Sequence, residues 1–357
     1  MSTPVQPTLV TTSRMGAFGR IMDTTDRTPG TLHTSNAWDR QLHRIGGHLL
    51  QSWRWGEFQQ RHGWTARRIQ VSDSAGTAMA QVLVRFQGPL SVAYIPRGPA
   101  IFGDPEVMWP MLLERVDALA RRNRTIMTLI EPNDDSVLTG TLADVGAARR
   151  ADRGQSCPRV RIPLLDDETI LERMHQETRH NLDLAQRRGV KAGRYPAGQL
   201  AIEALYRLMA ESADRNGFGL HSLGYYEDFL HTFGDDAVLL FAKADDGALA
   251  AALVTARFGN EAITMFGGSS AHGDGHRAAV LLQFEAMRWA REMGCGTYDL
   301  RGILNRNSER PGTDEGRWLS WFENGFGGEI PTCPLTIERR HVPVLPWLAR
   351  TLKRIER

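Results

Sequence analysis

Acid–base chemistry is suggested first by Tyr298 to Gly302, a short polar segment near the end of the chain. Asp299 and Arg301 follow a predicted strand just before a loop, where catalytic groups are common. A carboxylate there is suited to act as a general base, for example toward an amine, which without help is neutral in only about 1 in 10³ molecules at pH 7. An ion pair with Arg301 is the alternative interpretation of Asp299. Asp104 is a second candidate base, although Asp followed by Pro is also typical of a helix cap.

A second polar motif lies at residues 94–99, where the sequence reads Tyr-Ile-Pro-Arg-Gly-Pro. The two prolines fix φ, and the glycine adopts conformations that are barred to other residues, so we predict a rigid turn. Such a turn at a strand end would present Tyr94 and Arg97 to polar groups of a substrate. A tight connection without a binding role is the alternative.

These residues need a scaffold, and the sequence pattern predicts one of alternating strands and helices. In the second half, helices are followed by three consecutive strands, a strongly apolar helix and one more strand. That order is typical of the N-acetyltransferase (GNAT) fold, and the first half reads as a degenerate copy. The predicted strands cover residues 78–86, 91–95, 125–131, 237–243, 248–258, 261–266 and 296–300, and the predicted helices cover 104–123, 166–189, 200–215 and 276–293.

Length and composition are those of a folded soluble protein with two domains of ordinary size. The chain has 357 residues, of which 41% are hydrophobic and 24% charged, with a net charge of +2. No apolar run approaches the roughly 20 residues of a membrane span, and residues 1–34 lack the apolar core of a secretory signal. Three dispersed cysteines (Cys157, Cys295 and Cys333) argue against a disulfide framework or zinc site and favour a cytoplasmic location.

Four motifs together resemble the Fem family of tRNA-dependent aminoacyltransferases, which build the side-chain bridges of bacterial peptidoglycan. The motifs are Gln51–Gly56, Tyr94–Pro99, Tyr298–Gly302 and the aromatic-glycine segment Trp321–Glu329, and they come in the order of the family. The resemblance covers residues 35–340.

The resemblance implies an α/β (α+β) fold of two tandem GNAT-like subdomains. No heptad run is present, so we expect no coiled-coil insertion. Residues 1–34 would be a flexible tail, and residues 35–155 would form subdomain 1, completed by 331–357. Residues 156–330 would form subdomain 2.

The resemblance also implies an acceptor cleft, although three positions depart from the family. His221 and Tyr225 stand where the family commonly has Arg and Tyr against a sugar diphosphate, and the late Phe-Lys pair is here Phe322-Glu323. A Lys is also expected where this chain has Gln59 or Gln60. Three cations near a diphosphate are therefore missing or weakened, which implies an altered substrate or lost activity. The implied cleft is lined by Tyr94, Arg97, His221, Tyr225, Asp299, Arg301 and Phe322.

A basic stripe on the predicted helix 166–189 is the candidate contact with tRNA. Arg173, His180 and Arg187 recur every seven residues, and two further arginines lie beside them. A solvated helix face, interrupted by Asp183, is the alternative. The candidate tRNA-binding residues are Arg173, Arg179, Arg187 and Arg188.

The acyl donor must be activated elsewhere, because the sequence has no Gly-Lys dipeptide and hence no Walker-type phosphate loop. An aminoacyl ester on tRNA or a CoA thioester meets this need. Residues 267–275 resemble a pyrophosphate-binding loop, but Ser270 stands where GNAT enzymes usually have Arg or Gln. The pairs His43/His48 and Ser269/His272 have neither ligand nor nucleophile spacing, so we expect no metal and no cofactor beyond the tRNA co-substrate.

The sequence therefore predicts an acyltransferase that moves an amino acid from aminoacyl-tRNA to an amine of a peptidoglycan precursor's stem peptide. The precursor would be UDP-linked or lipid-linked, and a lipid-linked one implies peripheral membrane contact. Three alternatives stay open: a Fem-like tRNA-dependent ligase of specialised metabolism, a CoA-dependent N-acyltransferase, and a non-catalytic relative that binds precursor.

Overall fold

Two mixed β-sheets organise the chain. A computed structural model describes residues 34–133, 148–150, 160–300, 325–329 and 336–341. The helices are α1 (Ser35–Arg44), α2 (Trp53–Arg61), α3 (Pro105–Arg122), α4 (Asp167–Arg173), α5 (Gln176–Arg187), α6 (Gln199–Asn216), α7 (Leu223–Phe233), α8 (Ala271–Gly275) and α9 (Ala278–Glu292), with short 3₁₀ turns at Leu49–Gln51 and Gly234–Asp236. The strands are β1 (Thr65–Ser72), β2 (Gly76–Gln87), β3 (Leu90–Ile95), β4 (Ala100–Gly103), β5 (Thr125–Ile130), β6 (Ala148–Arg150), β7 (Arg161–Pro163), β8 (Lys191–Tyr195), β9 (Ala237–Lys243), β10 (Leu249–Phe258), β11 (Glu261–Ser269), β12 (Thr297–Asp299) and β13 (Thr336–Arg340).

The two sheets share one order of elements. The first sheet runs β1-β2-β3-β5-β13-β6, with β4 paired to β2, and the second runs β7-β12-β11-β10-β9-β8. In each, a three-strand antiparallel meander is followed by a helix (α3 or α9) and then by a strand parallel to the third. That parallel strand is followed in the sheet by an antiparallel strand from a distant part of the chain. In the first sheet β13 pairs with β5, and in the second β7 pairs with β12. This is the predicted pair of GNAT-like units.

The three largest apolar clusters of the described residues hold most of these elements together. One packs α3 on the first sheet through Met108 and Trp109. Another packs α4, α5 and α9 on one face of the second sheet. The third, which we call the shared core, lies on the opposite face of the second sheet and joins α6 and α7 to α2 of the first half. Phe58 from α2 and Phe229 from α7 are both fully buried there, and burial of such a side chain contributes about 1.5–3 kcal/mol.

The predicted helix 166–189 was wrong in one respect, because the structure has two helices there. Met174 leaves the helical conformation with ψ of 142°, and α5 begins after His175. The backbone N–H of His175 donates to the carbonyl of Gly325 at 2.8 Å, and Gly327 packs so closely on Arg173 that a Cβ there would lie 2.0 Å from its carbonyl oxygen. A tertiary contact from the aromatic-glycine segment therefore overrides the local helical pattern.

No described helix shows a coiled-coil insertion; the longest, α3 and α6, have 18 residues each. Within the same ranges, no helix combines the length and the apolar character that crossing a bilayer requires. The predicted domain boundaries at residues 35–155 and 156–330 stay predictions.

A buried polar network lies between α9 and the second sheet. The hydroxyl of Tyr298 donates to the side-chain carbonyl of Gln283 at 2.7 Å and lies 2.9 and 3.2 Å from the hydroxyls of Thr264 and Thr255. All four residues are at most 3% exposed. Burial raises the pKa of Tyr298 to about 12, so the phenol stays protonated in the folded protein at any physiological pH.

We expect alkali to destabilise the protein through this tyrosine. Between about pH 10 and 12 the unfolded phenol releases a proton that the folded phenol keeps, which removes on the order of 2–3 kcal/mol of stability. Tyr298→Phe should be about 1–3 kcal/mol less stable at pH 8, because Gln283 loses one of its two hydroxyl donors and keeps that of Thr264 at 3.2 Å, but should lose less stability at pH 11. Urea unfolding at pH 8 and 11 measures both effects, with Tyr195→Phe at the edge of the sheet as the control. Equal alkaline losses in wild type and Tyr298→Phe would contradict this account.

Candidate active site between the two sheets

Three of the residues singled out from the sequence meet where α2 packs against α7. The side-chain amide of Gln59 donates to the hydroxyl of Tyr225 at 3.2 Å, and both residues are buried. The His221 ring stacks on Tyr225, with centroids 3.9 Å apart and planes 15° from parallel. Of the two glutamines considered as replacements for a lysine, Gln59 is thus the one that reaches this cluster.

The position of His221 is fixed by its backbone as well as by its ring. Its N–H donates to the hydroxyl of Tyr226 at 3.1 Å. Burial raises the pKa of that hydroxyl, although the bond from His221 lowers it in part, so Tyr226 serves as a neutral acceptor. The backbone of His221, whose ring stacks on Tyr225, is therefore held by the uncharged hydroxyl of Tyr226.

Basic groups beside this cluster are paired with one carboxylate. Arg61 donates to both oxygens of Asp228 at 2.9 and 2.7 Å, and Nε2 of His62 lies 3.0 Å from the same group. The His62 ring is also 4.6 Å from that of Tyr225. Because Asp228 offsets the charge of Arg61 and also holds Nε2 of His62, these two residues give an anionic ligand less attraction than free cations would.

The turn at residues 94–99 is held in place by the side chain of Gln51. Gln51 donates through its side-chain amide to the carbonyl of Pro96 at 2.6 Å and accepts from the N–H of Gln81 at 2.7 Å. A Cβ at Gly98 would lie 2.5 Å from the Gln51 side chain, so only glycine allows this close approach. The turn is therefore held by a hydrogen bond to Pro96 and by close packing at Gly98.

The two polar side chains of that turn differ in their surroundings. Tyr94 is partly buried against the shared core, and its hydroxyl donates to the carboxylate of Glu131, itself buried. Arg97 has a φ of 48° and is only 5% exposed. Tyr94 and Tyr225 therefore contact the same core, whereas the guanidinium of Arg97 lies mostly inside the protein.

Asp299 lies on the same face of the second sheet as the shared core. It is paired in register with Ile263 of β11, a residue of that core, and directly paired residues place their side chains on one face. Its carboxylate, that of Glu261 and a ring nitrogen of His48 all lie within 4.8 Å of one another. Glu261 also binds Nη2 of Arg161 at 2.8 Å.

This His-Asp-Glu group has the donor types of a divalent metal site. The ring of His48, however, accepts the N–H of Leu50 at Nδ1, at 3.1 Å. A histidine that binds metal through Nε2 carries its proton on Nδ1, where it would point at that N–H. The group therefore suits a hydrogen-bonded carboxylate better than a metal ion. Sequence reasoning missed His48, which has no spacing that relates it to Glu261 or Asp299.

The remaining predicted residues are not part of this group in the described structure. Asp104 is exposed and caps α3, where it accepts the N–H of Glu106 at 2.9 Å. Its backbone N–H donates to the carbonyl of Ala75 at 3.0 Å, so Asp104 is held beside the connection between β1 and β2. Arg301, Phe322 and Glu323 lie outside the described residues.

The basic stripe is divided between α4 and α5. Arg179 donates to the carbonyls of Leu171 and Glu172 at the end of α4, at 3.1 and 3.0 Å. Arg187 pairs with Asp183 at 3.4 Å, and Arg188 donates to the carbonyl of Gly275. Arg173 ends α4 and is exposed. Three of the four candidate tRNA contacts thus also bind groups of their own chain.

Comparison with known proteins extends this description. A model of the acetyltransferase (GNAT) domain matches residues 172–309. A lipid II:glycine glycyltransferase of Staphylococcus aureus (strain COL) is 28% identical over 218 residues, which are 56% of this chain and 51% of that protein. The chain thus spans about half the length of that relative. A UDP-N-acetylmuramoylpentapeptide-lysine N(6)-alanyltransferase of Weissella viridescens is 23% identical over 303 residues, 80% of this chain and 86% of the relative.

The predicted resemblance to the Fem family is confirmed. The crystal structure of FemX shares the fold with a TM-score of 0.73 and 18% identity, over 90% of this chain and 98% of FemX. The structure of L-PGS from Bacillus licheniformis is a more distant match, with a TM-score of 0.52 and 15% identity over 92% of this chain and 98% of that one. The tandem GNAT-like fold is therefore one that the chain shares with FemX.

We expect Tyr225→Phe to lower the free energy of unfolding by about 1–3 kcal/mol, because the buried amide of Gln59 loses its acceptor. Gln59→Leu combined with Tyr225→Phe should cost less than the sum of the single changes. Urea unfolding of the four proteins measures this coupling, and Tyr206→Phe on neighbouring α6 is the control. Strictly additive costs would show that the two side chains are not coupled.

Proposed function

We propose that the protein is a cytoplasmic aminoacyltransferase that moves an amino acid from aminoacyl-tRNA to an amine of a peptidoglycan precursor's stem peptide. The observation that carries the proposal is that polar side chains of both halves border the shared core: Gln59 and Tyr94 from one half, and His221, Tyr225 and Asp299 from the other. Relatives named for transfer to lipid II and to a UDP-linked pentapeptide support the choice of acceptor.

The reaction would join the amine nitrogen of the acceptor to the carbonyl carbon of the aminoacyl ester. The bond from that carbon to the ribose oxygen of tRNA breaks. Asp299 takes the proton that the amine loses and gives it to the departing ribose oxygen, so the carboxylate is regenerated. Asp299 is only 2% exposed, so an amine that reaches it has left bulk water, and desolvation favours the neutral, nucleophilic form. Alignment of ester and amine would supply about 7–11 kcal/mol of the barrier reduction.

A CoA-dependent acyltransferase is the rival that the geometry disfavours. In the loop before α9, the N–H of Ala271 donates to the carboxylate of Glu211 at 2.8 Å, and that of Gly273 to the hydroxyl of Ser270 at 3.0 Å. Asp274 adds a second carboxylate, paired with Arg215 at 3.0 Å. A pyrophosphate would have to displace one carboxylate and face another, whereas phosphate sites offer unopposed N–H groups and cations.

The decisive experiment supplies purified protein with labelled aminoacyl-tRNA and a set of acceptors. We expect transfer to a stem-peptide amine of a UDP-linked or lipid-linked precursor, and loss of transfer after RNase treatment of the donor. Transfer to another amine alone would favour the ligase of specialised metabolism, and transfer from acyl-CoA alone would favour the CoA enzyme. Binding of precursor without consumption of any donor would favour the non-catalytic relative.

We expect Asp299→Asn to lower turnover by about tenfold or more, because the amide cannot accept the proton. The melting temperature and circular dichroism spectrum should stay close to those of wild type. Asp104→Asn, at the exposed cap of α3, is the matched carboxylate control and should keep the wild-type rate. Unchanged turnover in Asp299→Asn would remove this residue from the mechanism.

A further inference from the structure

His48 is the buried titratable group that joins the two halves of the protein at Asp299. It lies between α1 and the 3₁₀ turn of the first half, whereas Glu261 and Asp299 belong to the second sheet. His48 and Asp299 are 4% and 2% exposed, and Glu261 is partly buried. Three segments far apart in sequence thus place one imidazole and two carboxylates within 4.8 Å.

The tautomer of His48 follows from its backbone contact. Because Nδ1 accepts the N–H of Leu50, that nitrogen carries no proton, and the proton of the neutral ring is on Nε2. The same contact caps the 3₁₀ turn at Leu49–Gln51, so the ring is held by the local fold. Nε2–H is therefore a donor with a fixed direction inside the protein.

The two carboxylates differ in how their charge is balanced. Glu261 is bound by the guanidinium of Arg161 at 2.8 Å. Asp299 is the more deeply buried, and a buried carboxylate needs donors to offset its loss of water. Arg161 is also paired with Asp299 in register across β7 and β12, so its positive charge is near both acids. An imidazole N–H is a further donor suited to this place.

We propose that His48 is a positioning residue for Asp299. Its Nε2–H donates to the Asp299 carboxylate and fixes the orientation in which that carboxylate meets the acceptor amine. The inference rests on the proposed function for the role of Asp299 in transfer, but the hydrogen bond itself does not. Because donor and acceptor belong to different halves, the base is oriented only while the two halves are packed together.

NMR of the full-length protein labelled with ¹⁵N-histidine tests the bond without any assay of activity. Long-range ¹H–¹⁵N spectra, assigned with His48→Gln, should show His48 protonated at Nε2, with a proton protected from exchange. That proton should shift in Asp299→Asn. Protonation of His48 at Nδ1 would overturn the inference, and so would an Nε2 proton whose chemical shift is the same in Asp299→Asn as in wild type. So would saturable binding of Zn²⁺ that changes the His48 signals, since a metal would then be the partner.

Kinetics of transfer test the positioning role. His48→Leu should lower kcat about tenfold or more with little change in KM for the acceptor, because the base is present but not oriented. His48→Gln keeps an amide donor near the position of Nε2 and should retain activity within about threefold of wild type. His43→Leu is the matched control, since the His43 ring packs on Phe258 at the same junction of the two halves, with centroids 6.5 Å apart.

The possible results separate the two proposals. Wild-type turnover in a folded His48→Leu protein would overturn the positioning role while the proposed function stands. A wild-type protein that transfers no amino acid would overturn the proposed function, and the NMR experiment would still decide the bond. If His48→Leu does not fold, His48→Asn replaces it, because its shorter amide reaches only the position of Nδ1 and offers no donor at that of Nε2. In a kinetic cycle of His48→Asn with Asp299→Asn, independent effects of the two changes would overturn the inference.

Discussion

The packing of α2 against α7 is the contact on which the candidate site depends. Phe58 and Phe229 meet edge to face there, with centroids 5.6 Å apart, and they exclude water from the junction of the two sheets. The side chain of Gln59 reaches Tyr225 across this contact between α2 and α7. Without it, Gln59 and Tyr225 would be separate surface groups on two independent GNAT-like units.

Charged side chains near the candidate site form ion pairs with close neighbours. Asp228 neutralises Arg61 at one side of the site, and Arg161 compensates Glu261 at the other. The groups stacked on and bonded to Tyr225 are an imidazole and an amide, neither of which is a permanent cation. A ligand at this place would therefore be bound through shape, ring stacking and directed hydrogen bonds. In surroundings of low polarity these interactions are sensitive to small errors of position.

Local sequence signals were enough for much of the fold. Asp104 followed by Pro105 marked the start of α3, and the apolar run of β9 gave its bounds of 237–243. The break at Met174 could not be predicted, since it depends on the carbonyl of Gly325, which lies far along the chain. Likewise, Gln59 and Tyr225 are 166 residues apart, and no periodicity relates them. His48 was missed for the same reason: its partners are defined only by how the two sheets pack.

The position of β13 in the first sheet has a consequence for synthesis of the protein. This strand lies between β5 and β6 but is translated about 200 residues after β5. At typical elongation rates of about 5–20 residues per second, the hydrogen-bonding edge of β5 waits on the order of ten seconds or more on the ribosome for its neighbour. An exposed strand edge is a template for pairing with other chains. Chaperones would therefore be needed most while the amino-terminal half has been translated and β13 has not.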